Sequence, residues 1–350
     1  MKVYKVIQMI LPIVGSCFLP TLYAVDASEL SLHSPIYIKG NDGFTMENGV
    51  ISGNGTQENP YIIENLKIRA NLRNDGIRIE DTDKYFVIRN CYIFYLDGIL
   101  AMRLNRGKSP YFQNENKKPY PIGIFLDNVS HGLIENCTIR GTYQAICLNR
   151  SSYIIIKDCY VYENLCGIGI KSGSHHNKIL RCRTFNYACG VCLYQNASNN
   201  TVIACSSIPL RSLRGLRVSW TGYYVHDSNY NKEINCEAFC PGKTFINLKD
   251  KGMWIRNATN NLIKGFLCYG LPRGVVVEKA SNNVILNSKC FNNFIGFYVG
   301  LRTEGNLFSG NLFIGNWMDA LDFSRRNLWY DNYKKVTSPD VVFLTLCISD

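Results

Sequence analysis

The chain has 350 residues, of which 46% are apolar and 19% charged, and its formal net charge is +11. That composition excludes a disordered polymer, and beyond the N-terminal leader no segment is apolar enough to span a bilayer. Tyr (22), Phe (17) and Gly (28) are abundant, a usage that favours strands and turns over helices.

In chain order, residues 1–27 read as an export leader. Lys2 and Lys5 precede the apolar run Val6–Leu22, and small residues follow at Ala24 and Ala27, with a cut expected after Ala27. The mature protein is then secreted, periplasmic or held at the cell surface. Its basic charge suggests anionic neighbours such as acidic polysaccharide, cell wall or lipid head groups. A plain solubility charge is the other reading. Residues 28–60 are expected to cap one end of the fold that follows, because an open end templates aggregation.

From residue 61 to residue 335 the sequence repeats itself. A small residue opens a short alternating run at Gly76 ("GIRIED"), Gly123 ("GIFLDN"), Ala145 ("AICLNR"), Gly167 ("GIGIKS") and Gly190 ("GVCLYQ"). The run returns at Gly252 ("GMWIRN"), Gly274 ("GVVVEK") and Gly296 ("GFYVGL"). From Gly123 to Gly190 the spacings are 22, 22 and 23, and from Gly252 to Gly296 they are 22 and 22. A polar turn follows each run, often ending in Asn, as at Asn177, Asn200, Asn261, Asn283 and Asn306. A second and a third short strand complete the unit.

Such short strands at a fixed period fit one turn of a solenoid. The predicted fold is all-β: a right-handed, single-stranded parallel β-helix of about ten coils. Coils stack about 4.8 Å apart, so a position that bends in one coil bends in all. Asn tolerates the left-handed bend, and stacked Asn amides hydrogen-bond along the axis.

Six cysteines, Cys91, Cys137, Cys159, Cys182, Cys205 and Cys236, lie 14 or 15 residues after the leading residue of their unit. Cys166 with Cys189 and Cys268 with Cys290 form two further register pairs. Stacked in-register side chains run parallel, which disfavours relaxed disulfides. Buried thiols acting as small core residues are the main expectation; one or two disulfides, favoured by export, stay open. No zinc-type ligand spacing is present, and Cys189 with Cys192 is expected to reflect coil register alone.

Two stretches break the period, near residues 103–121 and 206–221. The first carries Arg103, Arg106, Lys108, Tyr111 and Tyr120, and the second carries Arg211, Arg214, Arg217 and Trp220. Insertions in a solenoid emerge as loops on one face, where binding residues tend to sit. Rings stack on sugar faces and Arg pairs with carboxylates, so these nine residues are the candidate ligand-binding set. A loop that merely packs on the coils is the bland alternative. Residues 336–350 are expected to form a C-terminal tail or cap.

The stretches "PIYIKGNDGFTMENGVISGNGTQENPYIIENLKI" (Pro35–Ile68) and "GIRIEDTDKYFVIRNCYI" (Gly76–Ile93) resemble the opening of prokaryotic right-handed β-helix surface proteins grouped with the NosD-type family. The late "NLWYDNY" (Asn327–Tyr333) is similar to the aromatic terminal coil of that family. The resemblance implies an exported β-helix. It is weaker for function, since it spans copper-site maturation, carbohydrate binding, and lyase or hydrolase activity.

Copper handling needs clustered His, Met or accessible Cys. Of five histidines, only His175 and His176 adjoin. Polysaccharide cleavage needs acids converging on one face, with or without calcium. Five residues after the leading residue stand Asp81, Asn128, Arg150 and Ser172, which is not an acid column. Asp319, Asp322 and Asp331 fall in a degenerate coil.

The reading is therefore an exported, non-catalytic β-helix protein binding polysaccharide or another anionic surface polymer. A polysaccharide lyase or glycoside hydrolase is the alternative, and a copper-site maturation factor a more distant one. No cofactor is expected, calcium excepted for a lyase. No nucleic-acid partner and no transmembrane segment after leader removal are expected. The oligomeric state is left open.

Overall fold

The structure is a computed structural model and describes residues 24–95, 121–210, 219–240, 248–324 and 326–335. Three sheets of 12, 12 and 11 strands run the length of the described chain. A single coil shows the circuit. Gln144–Asn149 lies in sheet B, Ile155–Lys157 in sheet C and Tyr160–Tyr162 in sheet A, and Cys166–Lys171 then returns to sheet B. Consecutive coils pair parallel and in register, as Ile146 with Ile168 and Leu148 with Ile170. Near the N-terminus, Val50–Ser52 instead runs antiparallel to Tyr61–Glu64. The architecture is the right-handed parallel β-helix that the 22-residue period predicts.

The periodicity dictates the core. One inward column of sheet B reads Ile124, Ile146, Ile168, Val191, Tyr223, Met253, Val275 and Phe297, and each is at most 1% exposed. Burying each such side chain contributes about 1.5–3 kcal/mol. A single coil cannot enclose its own apolar face, so this burial exists only between neighbouring coils.

The leading glycines have a steric cause. A Cβ on Gly222 would lie 2.6 Å from the Gly252 carbonyl oxygen, and one on Gly252 would lie 2.6 Å from that of Gly274. The close approach of successive coils at this column therefore excludes most side chains.

The asparagines divide into two roles. Asn177, Asn200, Asn231, Asn261, Asn283 and Asn306 are at most 2% exposed. The Nδ2 of Asn177 donates to Asn200 Oδ1 at 3.0 Å, Asn200 to Asn231 at 3.2 Å, and Asn261 to Asn283 at 3.0 Å. The left-handed bend falls one residue earlier, at His176, Asn199, Tyr230, Asn260 and Asn282, with φ between 55° and 59°. The sequence reading assigned both roles to the same residue, whereas two consecutive residues divide them, an Asn-Asn pair at 199/200, 260/261 and 282/283.

The cysteine column forms as expected at the corner between sheets C and A. Cys91, Cys137, Cys159, Cys182, Cys205 and Cys236 are at most 1% exposed and carry free thiols. Cys268 Sγ lies 2.8 Å from Cys290 Sγ as a thiol contact. Cys189 and Cys192 are instead disulfide-bonded within one strand, so coil register alone does not account for that pair.

Outside the coils, charges alternate along the axis. In sheet C, Glu64, Arg89, Glu135 and Lys157 stand in register. Arg89 pairs with Glu64, and Lys157 with Glu135 at 2.7 Å. Stacking like charges at this spacing would destabilise the sheet.

Candidate functional site

Three longer stretches of sequence separate a strand of sheet A from the next strand of sheet B. Residues 96–120 join Tyr92–Phe94 to Ile122–Val129. Residues 211–218 join Ser206–Pro209 to Thr221–His226, and residues 241–247 join Glu237–Phe239 to Lys251–Arg256. The outer face of sheet B is the candidate site.

Local backbone geometry decides which residues this face presents. From Cys166–Lys171 to Ile295–Val299 the second residue of each sheet B strand is the leading glycine, which turns inward. A Cβ on Gly274 would lie 2.6 Å from Cys268 Sγ in the interior. The first and fourth residues of the strand consequently share the outer side. Lys251 Nζ sits 4.3 Å over the Trp254 ring in this arrangement. Cys189 and Cys192 occupy the same two places one coil before Thr221–His226.

The outer face of the strands from Thr221 to Val299 gathers rings and cations. Tyr224 stacks on His226 with centroids 5.4 Å apart and packs against Trp254 at 4.9 Å. Arg256 lies 5.2 Å over Trp254, and Arg273 4.8 Å over Tyr298. Trp254 Nε1 donates to Glu278 Oε2 at 2.9 Å. Lys251 is in register with Arg273, and Arg256 with Glu278. Tyr224, His226 and Lys251 are buried although they face outward, whereas Trp254, Arg256, Arg273, Glu278 and Tyr298 are half-buried.

The electrostatics follow from that crowding. Burial, joined by Arg273, pushes the Lys251 amine down to about 8. Burial likewise lowers the His226 imidazole, opposed by the Asp227 carboxylate, whose Oδ2 is 3.3 Å from Nδ1. The Tyr224 phenol is pushed up by burial. Rings hold the guanidinium groups in place, so their fork-shaped donors are pre-oriented for carboxylates.

Of the sequence-predicted ligand set, Arg103, Arg106, Lys108, Tyr111, Tyr120, Arg211, Arg214 and Arg217 lie outside the described residues. Trp220 is a correction. It is 1% exposed, inside the core, and its Nε1 has no partner among the described residues. A ring enclosed by coils cannot stack on a surface ligand. The pattern reading placed it in the loop because the irregular spacing after Pro209 hid the start of the next coil.

The acids also differ from the sequence reading. Glu80 and Asp127 stand in register on the outer face of sheet B, 47 residues apart because the first long connection intervenes. Asp81, Asn128, Arg150 and Ser172 all take the left-handed bend, with φ from 50° to 56°. Asp322 is held by Trp329 Nε1 at 3.0 Å and by Ser324 and Asn327, a structural role. His175 and His176 are exposed and face each other, Nδ1 to Nδ1, at 2.9 Å. Among the described residues no group of three or more His, Cys, Asp or Glu could hold a metal ion. No described helix is long and apolar enough to cross a membrane.

Sequence reasoning missed Lys251, Trp254, Arg256, Arg273, Glu278 and Tyr298. The usable signal was a basic residue directly before the leading glycine in two successive units, "KGMWIR" and "RGVVVE".

Comparison with known proteins agrees with the fold. The family model for the right handed beta helix region matches residues 49–208, and that for the periplasmic copper-binding protein (NosD) matches residues 219–337. No curated protein matches the chain. Among solved structures, the A-module of the mannuronan C-5 epimerase AlgE6 of Azotobacter vinelandii superposes with a TM-score of 0.57 at 11% identity, covering 90% of this chain and 93% of that one. An alginate lyase from a Paenibacillus species superposes with a TM-score of 0.52 at 9% identity, covering 87% of this chain and 99% of that one. At such identities the likeness is one of fold. The two matches together, over residues 49–208 and 219–337, support a right-handed parallel β-helix of the NosD type.

Proposed function

We propose that this is an exported scaffold that binds an acidic polysaccharide along the outer face of sheet B. The observation that carries the reading is the strip in which Lys251, Arg256 and Arg273 are stacked on Trp254 and Tyr298. Guanidinium groups fixed on rings lose little freedom when they pair with carboxylates. The net charge of +11 adds attraction over a longer range. The two solved structures named above act on polysaccharide by name, which accords with this reading without carrying it. Arg211, Arg214 and Arg217 add three cations to the sequence just before the strand Thr221–His226 of sheet B.

One observation favours a second reading, a polysaccharide lyase. Elimination at a uronate needs a base for the proton beside the carboxyl group, a cation on the carboxylate and an acid for the leaving oxygen. A Lys251 amine lowered to about 8 over the Trp254 ring, with Tyr224 packed against that ring and His226 stacked on Tyr224, supplies groups of those types.

The deciding experiment incubates the mature protein with a panel of acidic and neutral polysaccharides, with and without calcium, followed by mass spectrometry of the soluble fraction. Depletion of the protein onto acidic polymer without product release is expected. Release of unsaturated oligosaccharides would make it a lyase, and neither outcome would leave a surface protein whose partner is not a glycan. Neutralising Arg211, Arg214 and Arg217 together is expected to weaken retention while leaving folding intact.

A further inference from the structure

At the corner between sheets A and B, the coils after residue 248 turn tightly, and two of those corners carry rings. Phe294 precedes the strand Ile295–Val299, and Trp317 precedes the strand Met318–Asp322. The two rings stack with centroids 4.4 Å apart and planes at 11°. Trp317 is 56% exposed and Phe294 38%. A large indole so exposed adds little to a core, and such surface usually marks an interaction site.

Its place in the fold gives the pair a context. The strand that follows Trp317 lies directly beside the strand of Tyr298, with Tyr298 and Leu321 in register. Tyr298 carries Arg273 over its ring, and the adjoining coils carry Glu278, Arg256 and Trp254. The pair therefore ends the cation strip. Trp317 stands one strand spacing past the strand of Tyr298 and three past that of Trp254, about 14 Å along the axis.

The chemistry changes along that line. Trp254 and Tyr298 have cations over their rings. Trp317 has Phe294 against one face, and among the described residues no cation lies over it. A ring without a cation offers an electron-rich face to the C–H surface of a pyranose, which is apolar and weakly positive.

We infer that Trp317 and Phe294 form a terminal subsite of the strip. A sugar unit stacks there by its apolar face, while Arg273 and Arg256 take the carboxylates of units further along the same chain. The occupant is one acidic pyranose chain crossing the strands obliquely, because cations and a bare ring on successive coils match the carboxylate and C–H surfaces of a polyuronate. This inference rests on the polysaccharide reading above and adds a dependence on length. Only a chain long enough to reach from Arg256 to Trp317 gains from the indole.

The test titrates the mature protein with oligogalacturonates of graded length, using calorimetry and Trp fluorescence. Trp317→Ala is expected to leave the shortest oligomers unaffected and to weaken the longest by about tenfold. Trp317→Tyr is expected to restore most of that loss, and Arg273→Ala to weaken every length. Because Trp317 is exposed, the thermal midpoint of Trp317→Ala should match the parent and separates binding from folding. If the parent binds and Trp317→Ala binds equally well at every length, the subsite is wrong and the polysaccharide reading stands. If the parent binds no oligomer at any length, both fail. A loss equal at all lengths would overturn the terminal position.

Discussion

Glu233 is a carboxyl group in a column of hydrocarbon. It stands in register between Val202 and Ile263 on the inward side of sheet C, 3% exposed, with its Oε2 unpartnered among the described residues. Burial alone pushes it up from 4.5 to about 8. The raised value means that the folded state keeps its proton longer than the unfolded state. Stability is therefore full below the unfolded value, falls as pH rises from 4.5 to about 8, and levels off above that. The fall is at most about 1.4 kcal/mol per pH unit. Glu233→Gln should flatten it, as seen by comparing urea midpoints at about pH 5 and about pH 8; an unchanged slope would refute the assignment. Lys251 has the opposite shift, from 10.5 down to about 8. Its positive charge is present below that value, so affinity for a polyanion should drop as pH rises through it. Lys251→Met should remove that drop, leaving the remainder to the arginines. Neither shift was legible in the sequence, since both come from neighbours a coil away.

At the scale of the element, the repeated Asn-Asn pair shows how much one turn encodes. Asn260 takes the left-handed bend, and Asn261 links coils. Asn261 donates to Ser228 O at 3.0 Å and accepts from the Asn231 backbone N–H at 2.9 Å. Asn261→Leu should cost about 3 kcal/mol, because it orphans buried groups on both adjoining coils. Asn260→Ser should cost less, since that side chain is exposed and only the bend suffers. Paired denaturant titrations would show the order, and a reversed order would contradict the division of roles. The period identified the ladder residues Asn177, Asn200, Asn261, Asn283 and Asn306 correctly. It did not separate bend from ladder, because a one-residue offset in φ leaves no mark on spacing.

Among the described residues each coil pairs with the coils next to it, so burial accumulates along one axis. The free thiols report on it. Among the described residues eleven cysteines are free and buried. A thiol must reach solvent as thiolate to react. In the native state these eleven should resist alkylation, and they should become reactive together when the coils open, measured as mass gain against urea. Early labelling of Cys182 or Cys205 would contradict a dry interior. The C-terminal coils should open first. All five residues of Met318–Asp322 are only half-buried and Tyr330 is 55% exposed, so hydrogen exchange there should outpace that at Ile146 and Ile168.

The sequence by itself determined the solenoid. A spacing of 22 or 23 places glycine on glycine, Asn on Asn and Cys on Cys, and only a parallel stack satisfies all three columns. Side-chain identity is enough there because each coil repeats the demands of the last. The strip of Lys251, Trp254, Arg256, Arg273 and Tyr298 was decided by tertiary structure alone. Its members come from three coils, and the inward turn of the leading glycine selects which of them face out. Trp220 marks the same boundary from the other side. Its neighbours in sequence suggested a surface loop, and the stacking of the next coil put it in the core. A column is a property of period, whereas a site is made by residues that the period does not repeat.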